Sequence, residues 1–184
     1  MSNVKPCVIA LLLIFVLSQQ TVRADFPPPV KAALATVSGE QSQTMELASE
    51  AHSRARSIEN AAFPTTLPES VPEYHFCKEI SLANFDDMRS GYNSILDSIR
   101  NGTATEDAIR SSTHESVFLN NAFIDSARKC LKRNDLEDFS ESTIANAWIQ
   151  ILNSYKTMKD NDKKKLSKHL DKKLRWKTTR PSGF

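Results

Sequence analysis

LANFDDMRSGYNSILDSIRNG, residues 82–102, places apolar side chains at Leu82, Phe85, Met88, Tyr92, Ile95 and Ile99 and ends on Asn101-Gly102. Intervals of three and four put those six residues on one face of an α-helix, so the stretch predicts an amphipathic helix over about residues 82–100 that buries one side. Gly102 suits the left-handed position that closes such a helix. Outward from this segment, the 108 residues between Pro72 and Pro181 contain no proline and only two glycines, Gly91 and Gly102. So long a stretch without helix breakers predicts an all-α chain.

Downstream, Thr105 with Glu106 and Asp107 is expected to cap a third helix reaching about Lys132. Ile109, Val117, Ile124 and Leu131 form its stripe, and Phe118 and Phe123 are expected to widen the buried face. Arg128, Lys129, Lys132 and Arg133 gather in its last turn, where the helix dipole favours positive charge. Ser140 opens a fourth helix, with Ile144, Trp148, Ile151, Tyr155 and Met158 in a 4-3-4-3 rhythm. Asp160-Asn161-Asp162 breaks that register, and Asp162 is expected to cap a fifth helix carrying Leu166, Leu170 and Leu174. Upstream, Leu34, Val37, Met45, Ala48, Ala55 and Ile58 predict a first helix over about residues 30–62 with a thin apolar stripe. Residues 63–79 are predicted to be an extended connection, because residues before Pro64, Pro68 and Pro72 are biased away from the helical region.

These segments predict a helical bundle of four to five amphipathic helices. The link at residues 134–139 spans only about 20 Å, whereas a third helix of some 28 residues is about 42 Å long. Helices three and four should therefore be antiparallel neighbours, with helices two to four an up-down-up meander. The expected organisation is a signal peptide at residues 1–24, a proline-rich N-terminus at 25–29, the bundle at 30–158, and a basic C-terminal helix and tail at 159–184.

The leader rests on Lys5, the apolar run from Val8 to Leu17, and Val22-Arg23-Ala24 before Asp25. That run makes a helix of roughly 15 Å, about half a hydrocarbon core, so an exported chain without a transmembrane anchor is expected. Removal of residues 1–24 takes away Cys7, Lys5 and Arg23, leaving 22 basic against 22 acidic side chains and two cysteines. In an oxidising compartment Cys77 and Cys130 are expected to form a disulfide; the alternative is two unpaired or intermolecular thiols. Neutral net charge argues against nucleic acid as the partner. The charge is polarised, however: ten Lys or Arg against three Asp in residues 159–184 leave an acidic remainder.

Catalytic or metal chemistry finds little support. His52, His75, His114 and His169 fall in different segments, and neither an HExxH pair, a nucleophile elbow, a P-loop nor a dinucleotide fingerprint occurs. No cofactor, metal or enzymatic activity is therefore expected. Asn101-Gly102-Thr103 is an N-glycosylation acceptor at an expected helix-to-helix turn. The strongest candidate surface is basic: Lys163, Lys164, Lys165, Lys168, Lys172, Lys173, Arg175 and Lys177 surround the Leu166, Leu170 and Leu174 stripe, with Trp176 at its edge. Such a helix suits an extracellular protein or an anionic surface such as a sulfated polysaccharide, or it docks on the acidic bundle.

Met88-Arg89-Ser90-Gly91-Tyr92 through Ile99 resembles the second helix of the helical cytokines. That resemblance implies an up-up-down-down bundle with two long crossovers, which the short link at residues 134–139 opposes. The expected function is a secreted non-enzymatic helical interaction protein. Two alternatives are a secreted carrier of a small apolar ligand, with Phe85, Tyr92, Phe118, Phe123, Trp148 and Tyr155 lining a cavity, and a divergent helical cytokine.

Overall fold

A computed structural model describes residues 26–62, 68–83 and 85–177 of the 184-residue chain. The expected signal peptide and the end of the basic tail, residues 178–184, lie outside the described residues. Six helices and one short 3-10 turn, Pro68–Ser70, make up the regular structure, and the described residues contain no strand. The helices are α1 (Pro28–Ala62), α2 (Pro72–Ser81), α3 (Asp86–Asn101), α4 (Glu106–Leu131), α5 (Glu141–Thr157) and α6 (Asp160–Lys173). The all-α expectation thus holds, while the helix count exceeds four to five.

The additional helix is α2, which lies in the segment predicted to be extended. Pro72 occupies its first turn, where a missing N–H costs no hydrogen bond, and Val71 before it takes the extended backbone that proline demands (φ −89°, ψ 115°). The proline begins a helix here instead of preventing one. Tyr74, Cys77 and Ile80 then recur at threes and are buried. Leu82 terminates α2, its N–H donating to the carbonyls of Lys78 and Glu79, so α3 starts at Asp86 and not at residue 82. That displacement leaves Leu82 56% exposed, contrary to its expected place on the buried face.

Local chemistry sets the other boundaries. Gly102 closes α3 with φ 71°, and Thr105 caps α4 by accepting from the Ala108 N–H at 3.2 Å. Ser140 caps α5 in the same way, accepting from the Thr143 N–H. Lys132, at the end of α4, takes a left-handed backbone (φ 55°) that a residue with a Cβ adopts at some cost; its ammonium lies 2.6 Å from Glu73 of α2. The expected cap at Asp162 does not form. α6 begins two residues earlier, at Asp160, and Asp162 in its first turn pairs with Lys165 at 3.0 Å while favouring the positive helix end.

The core runs along α1, whose buried Val30, Leu34, Val37, Leu47, Ala51 and Ile58 face α2, α4 and α5. Near its centre the rings of Phe85 and Phe123 meet at 5.5 Å, and Tyr92 meets Trp148 at 5.1 Å, both edge-on. These aromatics pack on one another, as core residues do. Phe118 departs further from expectation: it is 68% exposed on α4 and widens no buried face. Cys77 and Cys130 form a disulfide joining α2 to the last turn of α4, with Cα atoms 4.8 Å apart.

Candidate anionic-partner interface

The basic segment is anchored before it is presented. Leu166, Leu170, Leu174 and Trp176 are buried, so the apolar side of α6 and the residues after it dock on the bundle. Trp176 lies 5.9 Å from the Phe85 ring and 6.0 Å from that of Tyr92. Asn93 of α3 fastens its backbone at both groups: the side-chain amide donates to the Trp176 carbonyl at 2.9 Å, and the Trp176 N–H donates to Asn93 Oδ1 at 3.0 Å. Four charges reinforce the joint. Arg175 pairs with Asp97 of α3 and with Asp171 of α6, and Arg100 of α3 reaches Asp171 at 3.0 Å. The Arg175 hydrogen bond holds the Asp97 carboxyl below the usual carboxylate range, and the two acids raise the Arg175 guanidinium in turn.

This docking sorts the candidate bases. Arg175 belongs to the anchor and faces inward, contrary to its expected place on an outward basic surface. Lys163 is half-buried with its ammonium 5.9 Å from the Tyr155 ring centroid, and Lys165 pairs with Asp162. Lys164, Lys168 and Lys172 are exposed, and no ion pair holds them among the described residues. At 100° per residue Lys164 stands about 200° from Leu166, opposite the buried stripe, and successive members of the row rise by about 6 Å. Lys173, the last residue of α6, and Lys177, beyond its end, are also exposed. Tethered leucines on one side therefore hold an unpaired lysine row toward solvent on the other. His169 sits at the flank with its ring 5.3 Å from Phe26, where burial first and nearby Lys173 second lower its pKa.

The charged joint predicts a measurable stability effect. Asp97→Asn should reduce the free energy of unfolding in urea by about 1 kcal/mol, the scale of partly exposed ion pairs, and the loss should shrink in 1 M salt. Unchanged stability at low salt would mean that the leucines and Trp176 hold α6 without help.

Elsewhere the expected sites lie apart from this face. Asn101 is exposed as the last residue of α3. His114 Nδ1 lies 2.8 Å from Glu141, an exposed pair linking α4 to the start of α5. Among the described residues no group of three or more His, Cys, Asp or Glu is arranged to hold a metal ion, and no helix is long and apolar enough to cross a membrane. One feature was not anticipated in the sequence: a buried polar cluster of Glu40, Thr44 and Asn120 between α1 and α4. Its only local signal is that Glu40 and Thr44 occupy the gap between Val37 and Leu47, at the spacing where apolar residues belong. Comparison with protein-family models, curated proteins and solved structures yields no match.

Proposed function

We propose that the protein is a secreted, non-enzymatic interaction protein that presents the lysine row of α6 to an anionic extracellular partner. The observation that carries this reading is the separation of roles on one helix: Leu166 and Leu170 are buried, while Lys164, Lys168 and Lys172 stand exposed and unpaired opposite them. Large apolar side chains exposed among the described residues are Leu82 and Phe118, neither of them on α6, so this face has no wedge for a lipid surface. It matches a charged, hydrated partner instead. In the same reading residues 1–24 direct export, Asn101 accepts a glycan, and α3 to α5 run up-down-up, since residues 102–105 and 132–140 are short beside the helices they join.

Heparin affinity tests the proposal. A Lys164→Ser, Lys168→Ser, Lys172→Ser variant should elute earlier, and its log affinity should fall less steeply with log salt, by about two to three units for three lost cation contacts to a linear polyanion. Leu166 and Leu170 are untouched, so the helical circular dichroism should not change. An identical salt slope in both proteins would remove the lysine row from the binding surface.

A further inference from the structure

The polar cluster in α1 borders an open groove of about 550 Å³ between α1 and residues 133–144, within the usual range for small-molecule sites. Glu40 lines this groove and is only 2% exposed. Its Oε1 accepts from Asn120 Nδ2 at 2.9 Å, and Thr44 donates to Asn120 Oδ1 at 2.9 Å, but Glu40 Oε2, sealed from solvent in this conformation, has no hydrogen-bond partner among the described residues. A buried carboxylate oxygen without a partner is costly unless something completes it. Beside it Gly39 leaves the wall bare: a Cβ added there would meet nothing within 4 Å.

The opposite wall is held in place. Arg128 donates to the Leu136 carbonyl at 3.0 and 2.8 Å, and Asn121 brackets Phe139 by accepting from its N–H and donating to its carbonyl. Leu136, Phe139 and Ile144 give that wall an apolar surface. Charge along the groove is negative. Arg133 is the single basic side chain in its lining and is engaged by Asp135 at 2.9 Å and Glu50 at 3.3 Å; Asp138 pairs with Arg128 at 2.8 Å, while Glu137 carries no ion pair among the described residues. An unpartnered carboxylate oxygen, an apolar wall and acidic surroundings select an organic cation over an anion or a neutral lipid.

We propose that this groove binds a small arylalkyl ammonium ion, with its ammonium paired to Glu40 once that carboxyl turns toward the groove, and its ring against Leu136, Phe139 and Ile144. The site is independent of the lysine row and of any polyanion bound there. Burial favours the protonated form of Glu40, with a pKa of about 7, so pairing with an ammonium drives off that proton. Binding should therefore tighten between pH 5.5 and pH 8.

Calorimetric titration of the disulfide-bonded full chain with tryptamine, and with indole-3-propionate as the anion of similar shape, tests the proposal. Tryptamine should bind saturably and indole-3-propionate should not. Near pH 6.5 the heat should vary with buffer ionisation enthalpy, reporting proton release. Affinity should fall at least tenfold in Glu40→Gln, which keeps an oxygen for Asn120, and in Gly39→Leu, which fills the groove with a better helix former. Circular dichroism of both variants confirms that the fold survives. Absence of saturable tryptamine binding at millimolar concentration, wild-type affinity retained in both variants, or equal binding of the anion would each overturn the proposal. Loss in Gly39→Leu alone would overturn the ion pair with Glu40.

Discussion

Glu40→Gln is expected to flatten the pH dependence of stability and to make the protein more stable at pH 8. Burial raises the Glu40 pKa from 4.5 to about 7, with the Asn120 hydrogen bond only partly opposing it. Between those values the unfolded chain has lost the proton and the folded chain retains it, so folding takes up protons and stability declines as pH rises. The decline begins near pH 4.5 and is complete above about pH 7. At about 1.4 kcal/mol per pKa unit it amounts to roughly 3 kcal/mol. Glutamine cannot ionise, and its oxygen still accepts from Asn120. Its amide donors need partners that Oε2 also lacks, which costs about 1 to 2 kcal/mol at every pH. The variant should therefore start slightly below the wild type at pH 4.5 and overtake it by pH 8, the difference shifting by about 3 kcal/mol. Paired acids such as Asp97, whose pKa is lowered, add an opposite slope at low pH, but they do so in both proteins and cancel in the difference. Urea unfolding from pH 4.5 to pH 8.5 measures it. Parallel stability curves would show that Glu40 is already ionised in the fold.

The sequence makes some of this architecture readable because the relevant chemistry is local. Asn101-Gly102, Thr105 and Ser140 act on backbone groups within a few residues, and helices α3, α4 and α5 end or begin within a few residues of where those side chains predict. Pro72 misled because one rule has two sides: proline restricts the residue before it and also starts a helix well. The leucine spacing of α6 identifies which side docks and so which lysines face solvent. Arg175 was not legible in that way, since beyond the helix end its direction depends on Asp97, far away in sequence and fixed only by the tertiary fold. Glu40 is the most instructive miss. Read alone, an acid in an apolar stripe marks a weak point in a helix; its partner Asn120 lies 80 residues away, and the same register that buries one buries the other.

Removing the disulfide by Cys77→Ala with Cys130→Ala is expected to lower the free energy of unfolding by about 4 kcal/mol, with α2 the first element to open. The bridge spans 53 residues, and the chain-entropy account assigns a constraint of that size about 4 kcal/mol through its effect on the unfolded ensemble. α2 is exposed to the loss because it has ten residues, fewer than a helix needs to persist alone in water. What remains to hold it includes the burial of Tyr74 and Ile80, the Tyr74 hydroxyl donating to Glu59 at 2.8 Å, and the Lys78–Glu59, Arg54–Glu73 and Lys132–Glu73 pairs. Such partly exposed ion pairs contribute little individually. The two alanines keep the interface apolar, so the effect reports the lost constraint more than a new polar burial. Hydrogen exchange should show residues 72–81 losing protection while α5, joined through its own core residues, retains it. Reduced wild-type protein should behave like the double variant in denaturant. If the variant stays within about 1 kcal/mol of the oxidised protein and α2 keeps its protection, the packing of Tyr74 and Ile80 would be sufficient to fix α2, and the bridge would contribute chiefly to the rate of unfolding.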